Sequence, residues 1–281
     1  MKRLIVCADD FGLDPVVNAA VEEAHLRGIL STASLMVGAP AAADAVARAR
    51  RLPELHVGLH LVLVDGRPVS PLKAVAGLVE PNGEFEGNLV RAGVRFFFLP
   101  EIRRQLAQEI RAQFEAFRAT GLDLDHVNAH KHMHLHPTVA GLLVEIGRDY
   151  RMKAVRVPAE PAAVLRRAFP QERAALPLYR PWVERLRHRL RRAGLVVNDH
   201  VFGLAWSGRM VEARLLRLLP CLPDGISEAY FHPASERSAA FLATMPDYHP
   251  TEELAALTSA AVKARSEALG IRLSTYGELS A

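Results

Sequence analysis

Cysteine is nearly absent from this 281-residue chain: only Cys7 and Cys221 occur, far apart and outside any CxxC or CxxH pair. This excludes a disulfide scaffold and a thiolate metal site, and it reads as a reduced, cytoplasmic chain. Any metal must then be held by histidine and carboxylate. Long apolar runs are missing too, with no stretch near the roughly 18 residues of a transmembrane helix. The opening MKRLIVCADDFG passes from two cations through five apolar residues into two acids, too short an apolar run for a secretory signal. Internal repeats and low-complexity tracts are also absent.

An even excess of positive charge is lacking as well. The net charge is +4, but Arg166 to Arg192 holds nine arginines against Glu172 and Glu184, a local +7 that leaves about −3 elsewhere. A nucleic-acid footprint is thereby excluded. Within the basic segment, Arg185, Arg189 and Arg192 share one side of an expected helix from Pro181 to Ala193, near Val183, Leu186 and Leu190. Such a helix is expected to meet an anionic membrane surface peripherally, at the inner membrane, or to cap a lipid-linked sugar.

What is present is an ordinary globular composition, 50% hydrophobic and 23% charged, in which short apolar runs alternate with helical patterns. Strands are expected at Leu4 to Ala8, Ser34 to Val37, His56 to Val64, Leu124 to Ala129, Lys153 to Val157, Val201 to Ala205, Ile226 to His232 and Ile271 to Ser274. Helices are expected at Pro15 to Arg27 (Asp14 as N-cap, Gly28 as stop), Ala41 to Arg51, Glu101 to Thr120, Thr138 to Arg148, Val211 to Leu219 and Glu252 to Leu269. Repeated strand–helix units imply a parallel sheet, and eight candidate strands favour an α/β fold of the (β/α) barrel type over a doubly wound sheet. The chain is read as a single barrel domain with insertions at about 65–100 and 158–198.

The polar residues fall at the C-terminal ends of the expected strands, where a parallel barrel has its active-site mouth. Asp9 and Asp10 end the first strand, and Gly12 lets the chain turn so that both carboxylates reach the mouth. Beside a cation, one acid can bind metal while the other acts as general base. His60 lies in the apolar run VGLHLVL. In HVNAHKHMHLH, the two-residue strand period puts His126, Asn128, His130, His132, His134 and His136 on one face; one metal needs only two or three of these. Asp10, His60 and His130 on neighbouring strand ends make two imidazoles and a carboxylate, the composition of a hydrolytic metal site. Zinc fits these ligands best, with magnesium or manganese as alternatives. Glu228, Tyr230 and His232 share a face of the late strand, and a histidine opposite a carboxylate base suits amide hydrolysis, whose leaving amine needs a proton. Arg156 ends the fifth strand.

ADDFG, VGLHLVL, NAHKHMHLHP and E-x-x-x-HP at Glu228 to Pro233 together resemble the YdjC-like family of carbohydrate deacetylases over most of the chain. The resemblance implies a metal-dependent de-N-acetylase with an irregular or seven-stranded barrel. It implies Asp9 as general base, Asp10, His60 and His130 as ligands of one divalent metal ion, and His232 as general acid. Arg156, with His132 and Glu228, is expected to contact substrate. The RFFFLPE run and the arginine-rich segment are similar to the hopanoid-biosynthesis-associated branch, which implies an N-acetylglucosaminyl hopanoid glycolipid as substrate. A chitooligosaccharide de-N-acetylase, or a metal-dependent phosphoesterase or amidohydrolase on a similar barrel, is the alternative. A homo-oligomer is compatible with the sequence. Ala234 stands where the family has a glycine after HP, and PDYHPTEEL departs from the arginine-bearing stretch of other members, so sugar recognition near the C-terminus is expected to differ.

Overall fold

The structure, a computed structural model, describes residues 1–172 and 180–280. Of the basic segment, residues 173–179, Arg173 among them, lie outside the described residues. The first strand, β1 (Lys2–Phe11), is the centre of the fold. Leu4 to Ala8 is buried on both faces, as expected of a continuous apolar run inside a parallel sheet. It is followed by α1 (Pro15–Arg27), β2 (Thr32–Leu35), α2 (Ala42–Ala49) and β3 (His56–Leu61). Asp14 caps α1 through its side chain, which accepts from the Val16 amide.

Beyond β3 come α3 (Leu89–Phe98), α4 (Pro100–Ala119), β4 (Val127–Ala129) and α5 (Pro137–Asp149). The remainder is α6 (Ala162–Ala168), α7 (Arg180–Arg192), β5 (His200–Phe202), α8 (Glu212–Leu218), β6 (Gly225–Phe231), α9 (Ala239–Thr244), α10 (Pro250–Leu257), α11 (Ala260–Ala268), β7 (Arg272–Ser274) and α12 (Tyr276–Leu279). The single helix expected over Glu252 to Leu269 is thus two, because Ser259 caps a new start by accepting from the Val262 amide.

The sheet is parallel, ordered β4-β3-β2-β1-β6-β5. The eighth stave expected at the C-terminus is instead β7, which pairs with the N-terminal end of β1 at Arg3 to Ile5. The strand expected at Lys153 to Val157 is reduced to isolated pairings, Ala154 with Val196 and Val155 with Val127. Those pairings nonetheless close the ring. Val127 donates to the Ala154 carbonyl and Arg156 to that of Val127, while on the other side Val155 donates to the Val196 carbonyl and Val196 to that of Lys153. One step further on, the Asn198 amide replaces a strand neighbour, accepting from the Val157 amide at 2.6 Å and donating to its carbonyl at 2.8 Å. The result is an irregular, curled (β/α) barrel of seven staves.

Helix α4 shows how the outer layer is fastened. Ile102, Leu106, Ile110, Phe114 and Phe117 form its buried stripe. Glu109 and Gln113 are buried beside them: Glu109 accepts from the Val69 and Ser70 amides, and Gln113 bonds both the amide and carbonyl of Val62. The segment following β3 is therefore pinned to α4 by side chains that the apolar periodicity does not reveal. No helix among the described residues is long and apolar enough to cross a membrane.

Candidate active site

The C-terminal ends of β1, β3, β4 and β6 converge on a cavity of about 350 Å³ lined by Asp9, Asp10, His60, His130, His132 and His232, together with Tyr230 and Tyr248. Adjacent residues on a regular strand point to opposite faces, so the presence of both Asp9 and Asp10 needs a cause. The β1–β2 register shifts between Ala8 and Phe11, and Asp10 itself takes a positive φ of 61°. That bulge re-aims the second carboxylate, with Gly12 (φ 99°) turning the chain after it.

Asp10, His60 and His130 form the group of three potential metal ligands found among the described residues, with one donor atom of each within 4.8 Å of the others. His60 Nε2 lies 3.2 Å and His130 Nδ1 3.3 Å from Asp10 Oδ1. Neither Asp10 oxygen accepts a well-aligned hydrogen bond, and His130 Nε2 is likewise buried without one. Buried polar atoms are normally satisfied, so this donor set fits a divalent cation. Asn128 fixes the His60 ring, accepting from its Nδ1–H at 2.6 Å, which leaves Nε2 facing Asp10. Such outer hydrogen bonds set ligand tautomer and orientation.

Asp9 sits beside this group and is held from beneath. Arg156 Nη1 and Nη2 donate to its two oxygens at 2.5 and 2.9 Å, and Asn128 Nδ2 donates to Oδ1 at 3.1 Å. Burial alone would raise the Asp9 pKa, but Arg156, helped by His60 and His232, holds it well below the usual carboxylate range. Arg156 also donates through Nε and Nη2 to Glu228 Oε1, Tyr276 donates to Glu228 Oε2, and the guanidinium lies 4.8 Å from the Tyr230 ring centroid. Arg156 and Glu228 are fully buried and neither lines the cavity. The two residues expected to contact substrate thus lie outside the cavity lining, where they form an ionic floor under Asp9.

His232 lines the cavity between Tyr230 and Tyr248, with ring centroids 5.6 and 5.0 Å away. Burial pulls its pKa down, against the neighbouring Asp10 and Asp9 carboxylates. Its backbone is held by Glu253, which accepts from the His232 and Met210 amides at 2.6 and 2.8 Å. Burial pushes the Glu253 pKa up to about 7. Glu253 and Tyr248 come from the PDYHPTEEL stretch, where an acid three residues after His-Pro gave no signal beyond a helix start.

The histidine run does not stay on one face. Strand β4 ends at Ala129, and His130 to Leu135 form a tight helical turn in which Lys131 and His132 adopt positive φ values of 50° and 54°. His132 still lines the cavity, 5.6 Å from Tyr230, and burial drives its pKa down. His134 instead packs beneath, with Nε2 donating to the Arg156 carbonyl at 2.9 Å, and His136 caps α5. His126 lies below the site, bonded to Asp125 and Ser34. Its ring would meet a Cβ on Gly58 at 2.5 Å, which accounts for the glycine in VGLHLVL.

Comparison with known proteins agrees with this architecture. A carbohydrate deacetylase of Geobacillus stearothermophilus is 31% identical over 280 residues, covering 99% of this chain and 98% of the relative. One of Brevibacillus brevis is 28% identical over 281 residues, covering 99% of each. A crystal structure from Enterococcus faecalis V583 superposes with a TM-score of 0.77 at 24% identity, covering 100% of this chain and 99% of the other, a likeness of fold. The YdjC-like protein family matches residues 3–268, and the chain belongs to that family.

Proposed function

We propose that this protein is a metal-dependent carbohydrate de-N-acetylase that cleaves the acetamide of an N-acetylated sugar into acetate and a free amine. The observation that carries the reading is the meeting, around one cavity, of an unsatisfied Asp10–His60–His130 cluster, an ionised Asp9 and His232. The two full-length relatives named as carbohydrate deacetylases support it. Asp10, His60 and His130 would hold the cation, and zinc is the ion this set of two imidazoles and one carboxylate favours. A cation there supplies Lewis acidity that polarises the amide carbonyl and acidifies water.

The chain's own groups supply the proton transfers. Asp9 takes a proton from the attacking water; Arg156 keeps it ionised and aimed, at some expense of basicity. His232 gives a proton to the departing nitrogen as the C–N bond breaks. A second cavity of about 650 Å³ adjoins the first, sharing His130 and Thr244. It gives room for a substrate that continues past the acetylated sugar, including a glycolipid of the N-acetylglucosaminyl hopanoid kind. We read the chain as one barrel domain carrying two insertions.

Acetate release from a panel of N-acetylated sugars and glycolipids, run beside phosphate esters, tests this reading. Acetate from at least one N-acetyl sugar is expected. Turnover of phosphate esters without acetate release would replace it with the phosphoesterase alternative.

A further inference from the structure

Helix α3 carries its apolar stripe on the outside. Ala92 and Phe96 face inward, whereas Val90, Val94, Phe97 and Phe98, spaced by four, three and one residues, are 77%, 53%, 58% and 69% exposed. Leu99 continues the patch at 46%. A contiguous exposed stripe of this kind marks an interaction surface rather than ordinary scatter.

A strongly basic helix, α7, packs on the same helix, α5, that α3 contacts. Helix α7 has six arginines against Glu184 alone, with Arg180, Arg185, Arg191 and Arg192 exposed and Trp182 49% exposed among them. Both helices are anchored on the segment that builds the mouth of the cavity. Phe96 and Phe97 of α3 pack their rings on His136 at 6.0 and 6.1 Å. From α7, Arg189 donates to the carbonyl of the next residue, Pro137, at 3.4 Å. His136 follows directly on the His130 to Leu135 turn, and α7 packs on that turn as well.

We propose that α3 and α7 together form a docking surface for an anionic lipid bilayer, α3 inserting its phenylalanines among the acyl chains and α7 lying against the headgroups. Apolar insertion combined with a basic patch is the two-signal arrangement that gives stable peripheral binding. A second copy of the chain is the less favoured occupant, since an isologous contact would bring the same cationic helix in from both sides. Docking would bring the mouth of the site next to the membrane, where a lipid-borne sugar is presented. The surface stands independently of the deacetylase reading, and its test measures binding rather than turnover.

The test is flotation of the purified protein with vesicles of phosphatidylcholine alone or mixed with phosphatidylglycerol, at low and high salt. The protein is expected to float with the anionic vesicles at low salt and to be released by high salt. The Phe97→Glu/Phe98→Glu variant should lose at least tenfold in vesicle affinity while keeping the wild-type circular dichroism. An Arg180→Glu/Arg185→Glu/Arg192→Glu variant should lose the preference for anionic vesicles. Wild-type protein that stays unbound on anionic vesicles, or a phenylalanine variant that floats as well as wild type, overturns the proposal. So does a concentration-dependent dimer that the phenylalanine variant abolishes in the absence of flotation, which would assign the patch to a second copy.

Discussion

Arg156 and Asp9 meet in a two-pronged, buried ion pair at 2.5 and 2.9 Å, and the same guanidinium also donates to Glu228. The pair joins fold to chemistry, because the arginine comes from the irregular stave that closes the barrel and the aspartate from the central strand. Lysine offers a point charge where arginine offers a planar fork. Arg156→Lys should therefore keep metal content while lowering kcat by about 10²-fold, with KM little changed. Arg156→Met strands two buried carboxylates and should lose about 3–5 kcal/mol in denaturant unfolding.

Asp9 lines the cavity without belonging to the Asp10–His60–His130 cluster. Asp9→Asn should retain the bound metal, measured by elemental analysis, and lower acetate release by roughly 10²–10⁴-fold, the range for loss of a general base. Turnover near wild type would remove Asp9 from that role.

Asn128 acts through His60. Replacement by alanine removes the acceptor of the His60 Nδ1–H bond and one donor to Asp9. Zinc affinity should fall by about 10–100-fold, the usual effect of losing a hydrogen bond to a ligand. Competition with a chromophoric chelator measures it, and an unchanged affinity would show that the ring is held by packing alone.

At the opposite end of the barrel, Asp125 accepts from His126, lies 3.3 Å from His56 Nδ1, and caps the Gly277 amide at 2.6 Å. Its hydrogen bond with Asp125 raises the His56 pKa. The stability His56 contributes is therefore complete below about pH 6.5 and fades as pH rises through the higher folded value. Asp125 behaves oppositely. Burial would raise its pKa, but the two imidazoles and the Gly277 amide hold it low, so its contribution is present above about pH 3.9 and lost as pH falls through the depressed value. The stability gap between wild type and Asp125→Asn should be widest at about pH 5–6 and narrow as pH rises through the raised His56 value, as followed by denaturant unfolding at a series of pH values.

Most of the barrel is legible in the sequence because its strands are short apolar runs and its helices carry caps and stripes, as Asp14 before α1 and Ile102 to Phe117 in α4 show. Of the eight residues singled out for the site, six line the cavity, since a parallel barrel gathers the ends of its strands. What was not legible depended on local backbone. The strand period could not foresee that Lys131 and His132 take positive φ, which turns His134 under the site and leaves His136 to cap a helix. Nor could it show that Arg156, a long cation at a strand end, is consumed by two acids separated from it by 147 and 72 residues. Glu109, Gln113 and Glu253 escaped for a related reason: their partners are main-chain amides, which leave no mark in side-chain pattern.

The proposed role of one cation at Asp10, His60 and His130 in amide hydrolysis is tested most directly by titrating metal-free protein with zinc while following acetate release from an N-acetylated sugar. Activity absent in the metal-free protein and saturating at one zinc per chain is the predicted result. Full activity without metal, or saturation only at two ions per chain, would contradict it.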